Sequence, residues 1–482
     1  MAAMAHSLPP SFQMADNAQD GPSPVTPVVE DEALSQSSTS SQRSARSGSV
    51  RGPYRSYKPP NTFARCNAVA SVAGGEETYS RSLIPTGNGF APWNVYGITS
   101  PRPAGHLQQG VSIGDVGLID PDGDFAYMFN IFLPPDDPLQ ERGVPEGFEP
   151  LSLDLASSVK TKLAHFPPRT ILCSKGINVV RVSEDPFEFK ISTTAREGAI
   201  LVLPDGASRQ DLDPPTELQS YLEKHALSWY SYMYKKAPTG GSMIPNGSLY
   251  LITGCDKATS YSTVSIPSSV IIPGDKVEME YKDKRWKRTM IANLRRRDKD
   301  EEGGKTFAVF LRGMRIGLSD HVWTRYLPYE PPEGTAYYQS LATPIVGIRS
   351  RFVRLKEKHF GKSTLNLEDR QKVPFHPSII ILQILLEECP KTDVAIVDDS
   401  IWCSIVNKTA DGTLPQILSL IARAIASCDI VTIGRTATLV PKQSKEKSTG
   451  KARPSADLKE RTVDAKAYKK YLAHAKKIVK LP

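Results

Sequence analysis

The chain has 482 residues, 39% hydrophobic and 23% charged, with 39 prolines against 33 glycines and a formal net charge of +8. That length divides into roughly three domains and can bury a sizeable core. The composition excludes collagen, coiled-coil and disulfide-scaffold classes. The longest apolar runs, such as Ile379 to Leu382, fall far short of the about 20 residues that a membrane-spanning helix needs.

No cationic stretch followed by an apolar run opens the chain, so no secretory leader is expected and the protein is placed inside the cell, cytoplasmic or nuclear. Its cysteines (Cys66, Cys173, Cys255, Cys389, Cys403, Cys428) include no C-x-x-C pair, which suits reduced thiols better than disulfides or a zinc site. Charge is concentrated at one end. Residues 442–482 carry 13 Lys or Arg against 4 Asp or Glu, whereas the other 441 carry 47 basic and 48 acidic side chains. A neutral body with a basic end reads as an interaction tail.

In chain order, residues 1–60 form a Ser/Pro-rich segment whose run SQSSTSSQRSARSGS offers little to bury. It is expected to be a disordered linker or phosphorylation platform. Short β-branched runs between turn residues then predict a β-rich main domain over 90–330. A hairpin is predicted, with its turn at Asp120-Pro121-Asp122-Gly123 and a returning strand Phe125 to Leu133. Further strands are predicted at Thr170 to Leu172, Asn178 to Val182, Phe187 to Ser192, Ala199 to Leu203, Ser248 to Thr253, Val264 to Ile272, Val277 to Tyr281, Arg288 to Asn293 and Thr306 to Ile316, the last two joined by a turn over Glu301 to Lys305. One helix interrupts them, from Pro215 to about Lys236. Thr216 is its N-cap, and Leu218, Tyr221, Leu222, Ala226, Trp229, Tyr232 and Met233 line one face for packing on a sheet.

Residues 331–375 read as a connector. A small α/β unit follows over 376–441: helix Pro377 to Glu388, strands Asp393 to Val397 and Trp402 to Val406, helix Leu414 to Ser427, strand Ile430 to Leu439. A unit that small is marginal alone and is expected to dock on the larger domain. The 442–482 tail predicts an amphipathic helix over Ala456 to Lys480. Its apolar stripe holds Val463, Ala467, Tyr471, Ala475 and Ile478, with Tyr468, Leu472 and Val479 beside it. Lys466, Lys469, Lys470, Lys476, Lys477 and Lys480 surround the stripe and are the candidate anion- or partner-binding residues. The fold class is therefore α+β, with a β-rich main domain.

Catalytic and cofactor motifs are mostly rejected. Gly304-Lys305-Thr306 and Gly361-Lys362-Ser363 carry Lys299 and Lys356 where a phosphate loop needs its first glycine. Asp120, Asp122 and Asp124 have the spacing of a calcium loop, but Ile131 stands where the bidentate glutamate belongs. Val394 to Ser400 superficially resembles the acidic-pair strand of receiver domains and is read as a polar turn between strands. No H-E-x-x-H or G-x-S-x-G occurs, so no metal site and no cofactor are implied. A Cys255, His225 and carboxylate site assembled across the fold is kept as an alternative. The strings Lys282 to Arg288 and Arg295-Arg296-Arg297 read as a charge-protected hairpin edge. The alternatives there are nucleic-acid stacking on Trp286 or an anionic surface.

The succession GVSIGDVG, FNIFLP, EGAILVLPDGASRQDL, HALSWYSYM and NGSLYLITGCDK resembles a group of uncharacterised proteins of mushroom-forming fungi, over about residues 90–330. HPSIIILQILL and VAIVDDSIWCSIV are similar to a module found with such proteins. The resemblance implies a fungal intracellular protein and no activity, cofactor or catalytic residue. The functional expectation is a non-enzymatic interaction or regulatory protein whose basic C-terminal helix docks an acidic protein partner. The alternatives are a nucleic-acid-binding protein, a peripheral membrane-surface protein and an enzyme with an unrecognised site.

Overall fold

A computed structural model describes residues 65–66, 74–94, 102–120, 122–184, 187–215, 217–236, 244–267, 276–287, 292–297, 306–327, 372–405, 414–442 and 464–479. The 1–60 segment, nearly all of the 331–375 connector, the Thr216 cap, the Glu301 to Lys305 turn, Val463 and Lys480 lie outside the described residues.

β1 (Arg65–Cys66), α1 (Gly75–Leu83) and α2 (Ala104–Gln109) come first. β2 (Asp115–Ile119) and β3 (Phe125–Asn130) form the predicted hairpin, where the Asp120 carboxylate accepts from the Asp124 N–H at 2.9 Å and Gly123 takes a φ of 74°. After α3 (Leu155–Ser158) come β4 (Val159–Phe166), β5 (Thr170–Cys173), β6 (Ile177–Arg181), β7 (Phe189–Thr193), β8 (Gly198–Leu203) and β9 (Ala207–Leu212). The aromatic helix is α4 (Glu217–Lys236). It is followed by β10 (Leu249–Ala258), β11 (Tyr261–Ile266), β12 (Val277–Lys282), β13 (Arg285–Trp286), β14 (Asn293–Arg297), β15 (Phe307–Leu318) and α5 (Asp320–Tyr326). β16 (Lys372–Val373), α6 (Pro377–Glu388), β17 (Val394–Asp398), α7 (Ser400–Cys403), α8 (Leu414–Ala426), β18 (Cys428–Ile433), β19 (Thr436–Pro441) and α9 (Ala465–Val479) complete the chain.

The fold is α+β and rich in strands. A nine-stranded mixed sheet runs β18-β19-β17-β15-β10-β2-β3, with β9 branching from β10 and β4 from β9. β10 is long enough to pair β2 at Tyr250 and Leu251 and β9 from Gly254 to Ala258 along the same side, while β15 holds its other side. Two four-stranded sheets, β14-β11-β8-β5 and β13-β12-β7-β6, share a core of Phe189, Ile191, Ile200, Val202, Val264, Ile266, Val277 and Tyr281. The period of two explains β8. Ile200 and Val202 enter that core, whereas Ala199, Leu201 and Leu203 face the opposite way, into a cluster with Tyr79 and Leu83 of α1.

The 376–441 segment does not stand apart from the β-rich part. β17 pairs antiparallel with β15 from Leu318↔Val394 to Met314↔Asp398, so the main sheet continues through β17 into β19 and β18. β17 is apolar on both faces because both are covered: Val394 and Ile396 pack with α4, Ala395 and Val397 with α6 and α8.

Two expectations in this segment are corrected. The strand foreseen over Trp402 to Val406 is instead the end of helix α7 and a turn through Ile405, Val406 lying outside the described residues. The Asp398 carboxylate accepts the Ser400 N–H at 2.7 Å and starts the helix, and the fully buried Trp402 points its indole inward. The strand foreseen over Ile430 to Leu439 is a hairpin, β18 and β19, reversing at Gly434 with a φ of 58°.

Candidate functional site

α9 begins at Ala465, after Asp464, whose carboxylate accepts the Lys466 N–H at 2.9 Å; the foreseen first part of the helix, residues 456–463, lies outside the described residues. Its apolar stripe lies on the body. Ala475 is fully buried among α6 and α8 side chains, with Tyr471, Leu472, Ile478 and Val479 packed beside it, and the Tyr468 hydroxyl lies 2.9 Å from Ser419 Oγ. At about 100° per residue, the five described candidate lysines, Lys466, Lys469, Lys470, Lys476 and Lys477, fall on one arc of about 120° opposite that stripe. Lys466, Lys469, Lys476 and Lys477 are exposed and make no ion pair among the described residues. Lys470 differs: it pairs with Glu388, which holds its ammonium above the ordinary lysine range, and His474 Nε2 lies 2.6 Å from Glu387. The helix thus already meets a small acidic surface, the end of α6.

A second cationic region lies at the β12–β13 hairpin. Asp283 and Lys284 both take left-handed backbone, φ 53° and 57°, the geometry of a tight two-residue turn. Lys282, Asp283, Lys284, Arg285, Trp286, Lys287 and Arg296 line an open concavity of about 440 Å³. The Trp286 ring is not free to stack on a base. Its edge-to-face contacts with Tyr281 and Phe189, at 4.9 and 5.6 Å between centroids, hold it in the sandwich core.

Two polar constellations escaped the sequence reading. Asp399, read as part of a polar turn, is wholly buried and accepts from Ser378 Oγ at 2.6 Å, Trp402 Nε1 at 3.0 Å, the Gly313 N–H at 3.1 Å and the Tyr250 hydroxyl. His376 Nε2 sits 3.6 Å from it, and the Arg315 guanidinium lies 4.5 Å from the centre of the Tyr250 ring. Burial raises the Asp399 carboxyl to about 6 against the pull of its donors, and burial with Arg315 holds His376 well below its usual range. Tyr250, His376, Ser378, Asp399 and Trp402 are each 0% exposed, so this centre ties α6 and α7 to the sheet out of reach of solvent. The only sequence signals were a histidine before the helix-opening Pro377 and an acidic pair closing an apolar strand.

The second constellation is at the surface. Ser319 Oγ lies 2.9 Å from His321 Nδ1, His321 Nε2 lies 2.8 Å from Asp393, and Arg435 grips the same carboxylate at 2.6 and 2.7 Å. It fastens the start of α5 to the start of β17 and the β18–β19 turn. The Asp393 oxygens are taken by the arginine as well as the imidazole.

The structure does not bring Cys255 and His225 together. The Cys255 sulfur reaches Val111 O and Gln210 Oε1, and burial pushes its thiol up to about 11, away from the thiolate a nucleophile needs. His225 stacks on Trp229 and packs against the tilted ring of Tyr221 on α4. Among the described residues no three His, Cys, Asp or Glu side chains group to hold a metal ion, and no helix is long and apolar enough to cross a membrane. No family model, no curated protein and no solved structure matches the chain.

Proposed function

We propose that the protein is a non-enzymatic intracellular interaction or regulatory protein that docks an acidic protein partner through α9. One observation carries this reading: the apolar stripe of α9 is committed to the body, while Lys466, Lys469, Lys476 and Lys477 face outward with no ion pair among the described residues. An interfacial membrane helix needs its apolar face for lipid, so the buried stripe favours a polyanion over a bilayer. The fungal group that the motifs resemble belongs to the same proposal.

The test compares the full chain with K466E/K469E/K476E/K477E for retention on polyglutamate, on single-stranded nucleic acid and on anionic vesicles across a salt series. Truncation is avoided because it would strip Ala475 from the core. Wild-type protein should hold polyglutamate in a salt-dependent way. The variant should bind about tenfold more weakly, four surface contacts of about 0.3–0.5 kcal/mol each. Equal retention of the variant on polyglutamate would sink the reading. Preference for nucleic acid, lost in the variant, would replace the acidic protein by a phosphate backbone.

A further inference from the structure

The β12–β13 hairpin belongs to one sheet of the sandwich and β14 to the other, and each sheet ends at that strand: β13 closes one, β14 the other. Both outer strands are cationic. Edge protection alone explains cations scattered along a strand, since a charge blunts pairing with another chain. It does not explain why two edges from different sheets turn their cations into one concavity.

That concavity has a built floor and a charged rim. Trp286 is locked against Phe189 and Tyr281; Asp283 and Lys284 form the two-residue turn, Lys282 and Arg285 flank it on the hairpin strands, and Arg296 comes from β14. The volume of about 440 Å³ lies within the range of small-molecule sites, about 300–1,000 Å³. Five of the seven lining residues are Lys or Arg and one is acidic. Lys282 and Lys287 lean on Glu188 and Glu280, at 3.1 and 2.6 Å, through side chains that remain 47% and 64% exposed. Such pairs are weak and exchangeable in water. Lys284 and Arg285 form no ion pair among the described residues, and Lys284 sits 5.9 Å from the centre of the Phe187 ring.

We infer that this concavity binds a compact polyanion, a molecule or headgroup carrying two or more phosphate groups. The ligand is recognised by charge and by the planar guanidinium of Arg285, which can hold two phosphate oxygens at once. A base or other flat ring is not required, because Trp286 is already packed. The site is independent of α9, so the proposal does not rest on the acidic-partner reading.

The experiment uses the full chain with tripolyphosphate as the probe, read by calorimetry and by the thermal midpoint at low and high salt. The variant is K284N/R285Q. Asparagine tolerates left-handed backbone, so the turn is kept, and near-identical circular dichroism and midpoint without probe verify the fold. Wild-type protein should bind and gain thermal stability, less so at high salt. K284N/R285Q should bind about tenfold or more weakly, while K466E/K469E/K476E/K477E should bind like wild type. Vesicles with a phosphoinositide headgroup, set against plain phosphatidylcholine vesicles and against a soluble inositol polyphosphate, tell a lipid source from a free one. Absence of binding in every arm, or equal binding by K284N/R285Q, overturns the inference. Loss on K466E/K469E/K476E/K477E alone would assign the anion to α9 instead.

Discussion

Asp399 shows what one buried carboxylate can organise. Replacing it by alanine would leave the Tyr250 hydroxyl, Ser378 Oγ and the Gly313 N–H without this acceptor in a dry site, and the Trp402 indole with Ser378 Oγ alone. We expect D399A to lose about 3–5 kcal/mol of stability in urea unfolding, and D399N markedly less because it keeps an acceptor oxygen. The pH dependence has a definite sign. A carboxyl at about 6 in the folded chain and about 4 in the unfolded chain favours folding most below pH 4 and loses that advantage as pH rises through 6, about 3 kcal/mol at most. Asp124, raised to about 7 by burial although Arg102 pulls it down, acts in the same direction. His376 acts oppositely: its depressed value supports folding above about pH 6.5 and withdraws that support as the pH falls. Urea midpoints of D399N from pH 4 to 7 should therefore fall less with rising pH than those of wild type. An identical slope would remove Asp399 from the account. None of this was legible in the string VAIVDDS, where an acidic pair after an apolar strand looks like any solvated turn; only the depth of the fold tells Asp398 from Asp399.

At the scale of elements, what the sequence disclosed depended on how strongly each pattern was tied to burial. α4 could be read because Leu218, Leu222, Ala226, Trp229 and Met233 recur on one face, and those residues are buried. β4 and β9, VKTKLAHF and ASRQDL, escaped because β4 is mostly exposed and β9 is polar at its centre, so neither shows clean alternation. α1, GEETYSRSL, escaped for the opposite reason: polar residues such as Thr78, Ser80 and Ser82 are buried in it. The lysine arc of α9 was legible from spacing. The seat of its apolar stripe was not, because a stripe does not name its partner. That seat can be tested by A475E, which places a charge in a fully buried position. We expect α9 to detach, with a loss of about 2–3 kcal/mol and rapid tryptic cleavage at Lys466 to Lys477. If those sites stay as protected as in wild type, the docking of α9 is refuted.

For the whole molecule, the continuous sheet matters more than the segment boundaries that composition suggested. A shift from β-rich sequence to α/β alternation at 376 reads as a new unit, yet β15 is flanked by β10 on one side and β17 on the other. A chain ending at residue 330 would expose the β15 edge and uncover Ile316 and Leu318, which pack with Val394 and Ile396. We expect such a fragment to be aggregated or to lack near-ultraviolet circular dichroism, in contrast to the full chain. A soluble fragment with native-like near-ultraviolet signal would mean that the first part is complete alone.

The same pairing sets a schedule for biosynthesis. About 75 residues separate the end of β15 from the start of β17. At translation rates of about 5–20 residues per second, a nascent β15 has no β17 to pair with for on the order of 4–15 s. Through that interval the Met314 to Leu318 end of β15 has one side open, the kind of edge that holdase chaperones retain. Ribosome pausing between codons 319 and 393 would lengthen this exposure, so synonymous codon changes there should alter the yield of soluble protein without altering any residue of the finished fold.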